Sequence, residues 1–328
     1  MYTNKDIRCF IMTRNRPAFL KQSLKALLSQ KGGPWDIWVI DNSENNETET
    51  LVKTEYPEIN YDHTKLPSNL ERIQELVDPK IPYIFILHDD DLIVPNYLQT
   101  ALKAINYYPN IGGVFSKYKI ISGLDFPEDL EKEKLTTKHW FIRNQADFAL
   151  SFWDNPSCSW TGSILKSNFY KLMNPNANLD TFGKIGDWPM LVKAVPNSNL
   201  VVFKDNYIFY RQHIGQDSCD TKTAITYAQL LNWLKFFKNF AETKRELRNI
   251  YIIRAYENAL SNYKGFLSKN EQKKCQDLCK FFIEENLNIP PMRLYNMTLQ
   301  NKILSPIKHL FKRIYKRNYF KKFLTDFN

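Results

Sequence analysis

The sequence predicts an α/β fold, with a mainly parallel sheet flanked by helices and a helical extension behind it. Apolar strand-like runs alternate with segments of helical period up to about Asp220, and the runs end in polar or acidic residues. After Asp220 the strand signal fades and only helical spacing remains.

Ile7 to Met12 is the first apolar run, followed by the polar loop Thr13-Arg14-Asn15-Arg16-Pro17. Phe19, Leu20, Leu24, Leu27 and Leu28 then recur at helical spacing, with Pro17 placed where a helix tolerates it. Trp35 to Ile40 repeats the strand pattern and closes in Asp41-Asn42-Ser43, before a short helix over Thr48 to Tyr56. Ile59 to Asp62 precedes a helix near Asn69 to Leu76, and Tyr83 to Leu87 is a strongly apolar strand ending in His88-Asp89-Asp90-Asp91. Gly112 to Ile121 reads as a further strand, Gly123 to Lys138 as a charged loop over the site, and Val201 to Tyr210 as a late strand pair. Domain boundaries follow: a catalytic unit over 1–220, a helical region over 221–301 and a basic tail over 302–328.

Composition narrows the function classes. With 43% hydrophobic and 14% aromatic residues the chain has material for a packed interior. The start has neither the basic residues nor the long apolar stretch of a secretory signal, and no run approaches the roughly 18 apolar residues of a spanning helix, so a cytoplasmic protein is expected. Five cysteines without framework spacing suit a reducing compartment, and Cys275 and Cys279 share an apolar helix face with Leu278 and Phe282 rather than suggesting ligation. The net charge of +10 is uneven: Lys302 to Asn328 holds eight Lys/Arg against one acid, which leaves +3 for the rest. A basic excess confined to one tail, with no nucleic-acid motif, argues against a nucleic-acid-binding protein.

The sharpest chemical signal is the acid run Asp89-Asp90-Asp91 at the end of a buried strand. Mutual repulsion there is costly without a cation, and hard oxygen ligands suit Mg²⁺ or Mn²⁺ shared with substrate phosphates. The competing reading is a solvated acidic turn that caps a helix at Leu92.

Thr13 to Pro17, then Ile40-Asp41-Asn42-Ser43, then the acid run, resemble in order and spacing glycosyltransferase family 2, inverting enzymes of the GT-A fold. The resemblance implies that Thr13, Arg14, Asn15, Arg16 and Asp41 hold a nucleotide, with Asp41 meeting the base. It implies that Asp89 and Asp91 meet ribose and metal, with Asp90 among the nucleotide contacts. Asn69 and Arg72 match the family's third nucleotide-approaching loop and helix more loosely, and a plain surface role suits Arg72 equally well. Tyr210-Arg211-Gln212-His213 resembles the family's Tyr-Arg-x-His ending, which implies His213 as a third metal ligand and leaves Arg211 as a substrate contact or a loop brace. Gly186-Asp187-Trp188-Pro189 resembles the segment holding the catalytic carboxylate. There the family often has Glu-Asp, and here Gly186 leaves Asp187 as the base. Trp188, Trp160 and Gly162 suit a sugar or acceptor pocket, since aromatic faces pack on pyranose rings, and core packing suits both tryptophans equally well.

The expected activity is therefore transfer of a sugar from a nucleotide-diphosphate donor, with uracil the commoner base, to a hydroxyl of a cell-surface glycan. In the tail, Ile303, Ile307, Leu310, Phe311 and Ile314 form an apolar stripe beside Lys308, Lys312, Arg313, Lys316 and Arg317. Such a helix lies on an anionic membrane, which suggests a peripheral enzyme at the inner face of the cell membrane with a lipid-linked acceptor; packing of the stripe on the protein is the alternative. Two other readings are a catalytically inactive sugar-nucleotide or glycan binder, and a sugar-nucleotide pyrophosphorylase. The second needs a glycine-rich loop that Thr13 to Pro17 does not supply.

Overall fold

Strands rich in Ile, Val and Phe that bury both faces need helices on both sides, and the chain supplies them in alternation. The computed structural model describes residues 1–66, 68–124, 126–127, 130, 135–151, 160–173, 175–183, 186–195, 198–213, 216, 229, 232–233, 235–236, 239 and 324–325. Strand β1 (Ile7–Thr13) leads into α1 (Pro17–Leu28), β2 (Asp36–Asp41) into α2 (Glu47–Glu55), and β3 (Asn60–His63) into α3 (Asn69–Leu76). Strand β4 (Tyr83–His88) is followed by the two-residue β5 (Leu92–Ile93), α4 (Tyr97–Tyr107) and β6 (Ile111–Ser122). The remainder comprises β7 (His139–Ile142), α5 (Gln145–Ser151), β8 (Ile164–Lys166), α6 (Ser167–Leu172), α7 (Pro175–Phe182), α8 (Asp187–Ala194), β9 (Asn199–Gln212) and β10 (Leu324–Thr325).

The sheet order is β10-β7-β9-β6-β8-β4-β1-β2-β3, with β5 attached to β9. Strands β3, β2, β1 and β4 pair in parallel, and so do β6 and β9. Because β8 runs antiparallel to both β4 and β6, these two blocks share one direction. The carboxyl ends of β1, β2, β3, β4, β6 and β9 therefore face the same edge, where ligands of open α/β sheets collect.

Alternation along the strands sorts two cores. Ile7, Cys9 and Ile11 of β1 join Tyr83, Phe85 and Leu87 of β4 under α1 and α4, while Phe10, Ile84 and Ile86 pack on the other face under α3, α6 and α8. Pro17 opens α1, and Leu20, Leu24 and Leu27 form its buried stripe. Each such side chain contributes about 1.5–3 kcal/mol on burial.

Two elements differ from the sequence expectation. The late strand pair is one strand, the 14-residue β9, which stays paired with β6 by bulging: Ser116 pairs with Phe203 and Lys117 with Asn206. The extra residues are held outside the ladder, Lys204 by its N–H to Lys138 O at 2.9 Å and Asp205 by the Thr136 hydroxyl at 2.7 Å. Leu92 does not begin a helix; Leu92 and Ile93 pair with β9, and the helix starts at Tyr97. Past the predicted domain break, Trp233 and Phe236 pack on the core beneath α7 and α8, with Trp188 and Trp233 rings 6.1 Å apart.

Candidate functional site

Thr13 ends β1, Asp41 ends β2, His88 ends β4, and His213 follows directly on β9. The acid turn 89–91 sits among them, with Asp89, Asp90 and Asp91 only 3%, 4% and 0% exposed. That burial removes the reading of a solvated helix cap.

Each acid is held differently. Asp89 accepts a hydrogen bond from Thr13 Oγ1 at 2.7 Å and lies 3.5 Å from Arg16 Nη1. Asp90 Oδ2 faces Arg16 Nη1 at 3.2 Å and His213 Nε2 at 3.0 Å. Asp91 Oδ1 accepts from the Arg211 backbone N–H at 2.8 Å. Its Oδ2 is buried with no hydrogen-bond partner, and His88 Nδ1 stands 3.9 Å away. Desolvation first, and the Asp90 charge second, raise Asp89 to about 7 and push Asp91 well above the usual carboxylate range. A divalent cation bound beside these carboxylates would offset both causes by pairing with their charge.

One ligand atom each from His88, Asp90 and Asp91 lie within 4.8 Å of one another, which makes these three the metal-competent group among the described residues. The expected set of Asp89, Asp91 and His213 shares Asp91 with this group. Asp89 is committed to Thr13 and Arg16, and His213 is committed to Asp90 and to the Phe19 ring, whose centroid is 4.5 Å away. In the sequence His88 reads only as part of the strand end, and its place three residues before Asp91 is the available signal.

Arg211 braces the acid turn. It is fully buried, with Nε donating to Asp90 O at 2.9 Å, Nη2 to Gln22 Oε1 at 2.8 Å and Nη1 to Gly123 O. Ser23 on α1 completes the scaffold, its Oγ 2.6 Å and 2.7 Å from the carbonyl oxygens of Asp89 and Asp91. Neither Ser23 nor Gln22 was singled out in the sequence, since both look like ordinary positions of an amphipathic helix.

The other expected nucleotide residues, Arg72 apart, gather nearby and contact one another's loops. Asp41 is fully buried and its oxygens are taken by Ser43 N at 2.8 Å, the Ser43 hydroxyl and Tyr61 OH at 2.8 Å. It shapes the loop after β2, and contact with a base requires that network to open. Arg14 binds Glu44 Oε1, and Asn15, at φ 55°, donates from its backbone to Ser43 Oγ at 2.7 Å, so the first two loops are tied together. The Asn15 side-chain amide also donates to Glu44 Oε2, and the hydrogen bonds from Arg14 and then from Asn15 lower the Glu44 carboxyl to about 2. Asn69 Nδ2 donates to Thr13 O at 3.0 Å, and the side-chain oxygens of Asn69 and Asn42 are buried without a partner. Arg72 is not aimed at this cluster; it forms a two-pronged ion pair with Asp62, both distances 2.8 Å, and another with Glu75.

Asp187 opens α8 behind Gly186, on the face of the sheet that carries α3 and α6. Burial raises its carboxyl to about 6, with a backbone hydrogen bond opposing. Trp188 packs against the same core, and Trp160 is a core residue, 6% exposed with its ring 5.8 Å from Tyr170. Gly162 is required by packing: its φ is +76°, and a Cβ there would stand 2.2 Å from Ile208 Cδ1. The tail residues Lys308, Lys312, Arg313, Lys316 and Arg317, and the cysteines other than Cys9, lie outside the described residues.

A model of the family described as glycosyl transferase family 2 matches residues 9–172, half of the chain. The chain belongs to this family. Its acid turn and the loops after β1 and β2 fall inside the matched segment, and its sheet of co-directional strands interrupted by β8 is the GT-A architecture. Among curated proteins the chain is similar to Protein CgeD of Bacillus subtilis (strain 168), at 21% identity over 129 residues, which span 36% of this chain and 30% of that one. The chain thus matches under a third of the length of that curated relative. Among solved structures, residues 1–349 of S. aureus TarS in complex with UDP-GlcNAc share 14% identity, covering 85% of this chain and 73% of that one, at a TM-score of 0.48. The mannosyltransferase PcManGT from Pyrobaculum calidifontis, with GDP-Man and Mn²⁺, shares 11%, covering 94% and 84%, at 0.49. No helix among the described residues is long and apolar enough to cross a membrane.

Proposed function

We propose that this family 2 member is a cation-dependent, inverting glycosyltransferase that moves a sugar from a nucleotide-diphosphate donor to a hydroxyl of a cell-surface glycan. The observation that carries the reading is the unpartnered, fully buried Asp91 Oδ2 beside Asp90 and His88, at the edge where the parallel strands end. A fully buried carboxylate oxygen left without a partner is costly, and a shared cation is the economical resolution.

In this reading Asp90 and Asp91 hold Mn²⁺ or Mg²⁺, which when bound neutralises charge that develops on the departing diphosphate. Thr13, Asn69 and the tied loops at Asn15 and Ser43 line the nucleoside side, with Asn42 and Asn69 offering buried acceptor oxygens. Arg16, one quarter exposed and facing the acids, is placed to follow a phosphate. Asp187 takes the proton of the acceptor hydroxyl while that oxygen attacks the anomeric carbon and the diphosphate leaves from the opposite face. A carboxyl raised to about 6 by burial is a stronger base than an ordinary aspartate and remains ionised at neutral pH.

The test is a panel of UDP-, GDP- and dTDP-sugars, assayed for hydrolysis and transfer with Mn²⁺, Mg²⁺ or EDTA. Hydrolysis of at least one donor that EDTA abolishes is expected. A folded protein that binds none of them under any condition overturns the assignment. For the tail, we infer that its basic stripe holds the enzyme at an anionic bilayer near a lipid-linked acceptor. Flotation with vesicles rich in anionic lipid should require residues 302–328, and equal flotation without them removes the anchor.

A further inference from the structure

We infer that the flank of the sheet at β7 is a second membrane contact, a group of lysines around Trp140 that meets anionic lipid headgroups together with the basic tail. The inference rests on the anchoring reading of the tail and adds to it a surface of the folded part of the chain.

Three observations lead there. First, the tail is tied to this flank. Leu324 pairs with Trp140 and Thr325 with His139, so β10 covers the outer edge of β7. Arg317, the last basic residue of the stripe, precedes Leu324 by seven residues, a stretch that spans at most about 25 Å. Lys321 and Lys322 lie within it, beside Tyr319, Phe320 and Phe323. The end of the stripe therefore cannot leave the neighbourhood of β7 while β10 stays paired.

Second, three neighbouring strands bring lysines to the same place. Lys117 of β6 sets its Nζ 5.0 Å from the centre of the Trp140 ring. Lys204, exposed in the bulge of β9, donates its backbone N–H to the carbonyl of Lys138, which is exposed just before β7. The acid of the bulge, Asp205, is half-buried and accepts from the Thr136 hydroxyl at 2.7 Å, so Lys138 and Lys204 carry the exposed charge there.

Third, the combination has the chemistry of a bilayer surface. Trp140 is half-buried against the core, and an indole with lysines around it suits the headgroup level, where apolar body and cation both find partners. A nucleic acid or an acidic protein would match the lysines, but not the apolar stripe of the tethered tail; an anionic bilayer matches both. Contact at this side of the sheet also leaves the carboxyl edge, with its acid turn, open along the membrane surface.

The experiment uses the full chain and phosphatidylcholine vesicles with and without phosphatidylglycerol, read by flotation. Lys138→Glu combined with Lys204→Glu reverses two exposed charges on the flank. Lys31→Glu combined with Lys80→Glu makes the same charge change at exposed positions away from it. Wild type should float only with the anionic vesicles. The flank pair should weaken that binding about tenfold or more, and the control pair by about twofold or less, with the melting temperature and donor hydrolysis in solution unchanged in both. Equal effects of the two pairs, or none from the flank pair, overturn the inference. Loss of binding on removing residues 302–328, with the flank pair still floating like wild type, leaves the tail reading standing and removes the flank. Binding that survives that removal but not the flank pair supports the flank and removes the tail reading; a wild type that ignores anionic vesicles removes both.

Discussion

At the scale of single residues, Asp89, Asp91 and Asp187 are all held above their ordinary titration, in two different places. Asp187 needs its proton off to act as a base, so with burial raising it to about 6 the rate of transfer should climb with pH through that value and level above it. Its folded-state affinity for a proton exceeds that of the unfolded chain, so the native state binds more protons between about 4 and 6 and loses stability as pH rises across that window. Asp187→Asn should therefore abolish transfer, leave donor affinity unchanged, and melt at a higher temperature than wild type at pH 8 but not at pH 4. Asp91→Asn should remove cation-assisted donor binding while stabilising the ion-free protein, checked by calorimetry in EDTA. The acids were legible in the sequence because three carboxylates after an apolar run have few innocent explanations. The contacts of Asp41 were not, since a lone acid at a strand end gives no sign in the sequence that the hydroxyls of Ser43 and Tyr61 reach it.

At the scale of elements, β9 links the two halves of the site. It pairs with β6, β7 and β5, and its last residues bring Arg211 and His213 to an acid turn formed by β4. Arg211→Leu strips donors from Asp90 O, Gly123 O and Gln22 Oε1 and uncovers the acids, so a loss of about 3 kcal/mol or more in urea unfolding is expected, with donor affinity not restored by excess cation. Gly162→Ala forces a positive φ on a side chain and a 2.2 Å contact with Ile208, and should cost about 2 kcal/mol or more with the acid cluster chemically intact. Strands with strict apolar runs, β1, β2 and β4, could be read directly. The β8 strand could not, because its three residues are too short for periodicity, and the Lys204-Asp205 bulge made one strand look like two.

For the whole molecule, cation and donor act as one ligand if Asp90 and Asp91 share the ion with a diphosphate. Each alone should move the melting temperature little, and together at a hundredfold excess over the dissociation constant they should add about 2.7 kcal/mol of stability. Independent, additive shifts would argue against a shared site. The long reach of β9 also has a consequence for synthesis. While a ribosome is still making residues 92–210, the nascent chain carries the acid turn with neither Arg211 nor His213 to steady it. Contacts spanning some 120 positions form late and slowly. A polypeptide stalled before that strand should thus emerge with its early β-α units assembled but without the power to capture divalent ions, and acquire it abruptly once those last residues clear the exit tunnel.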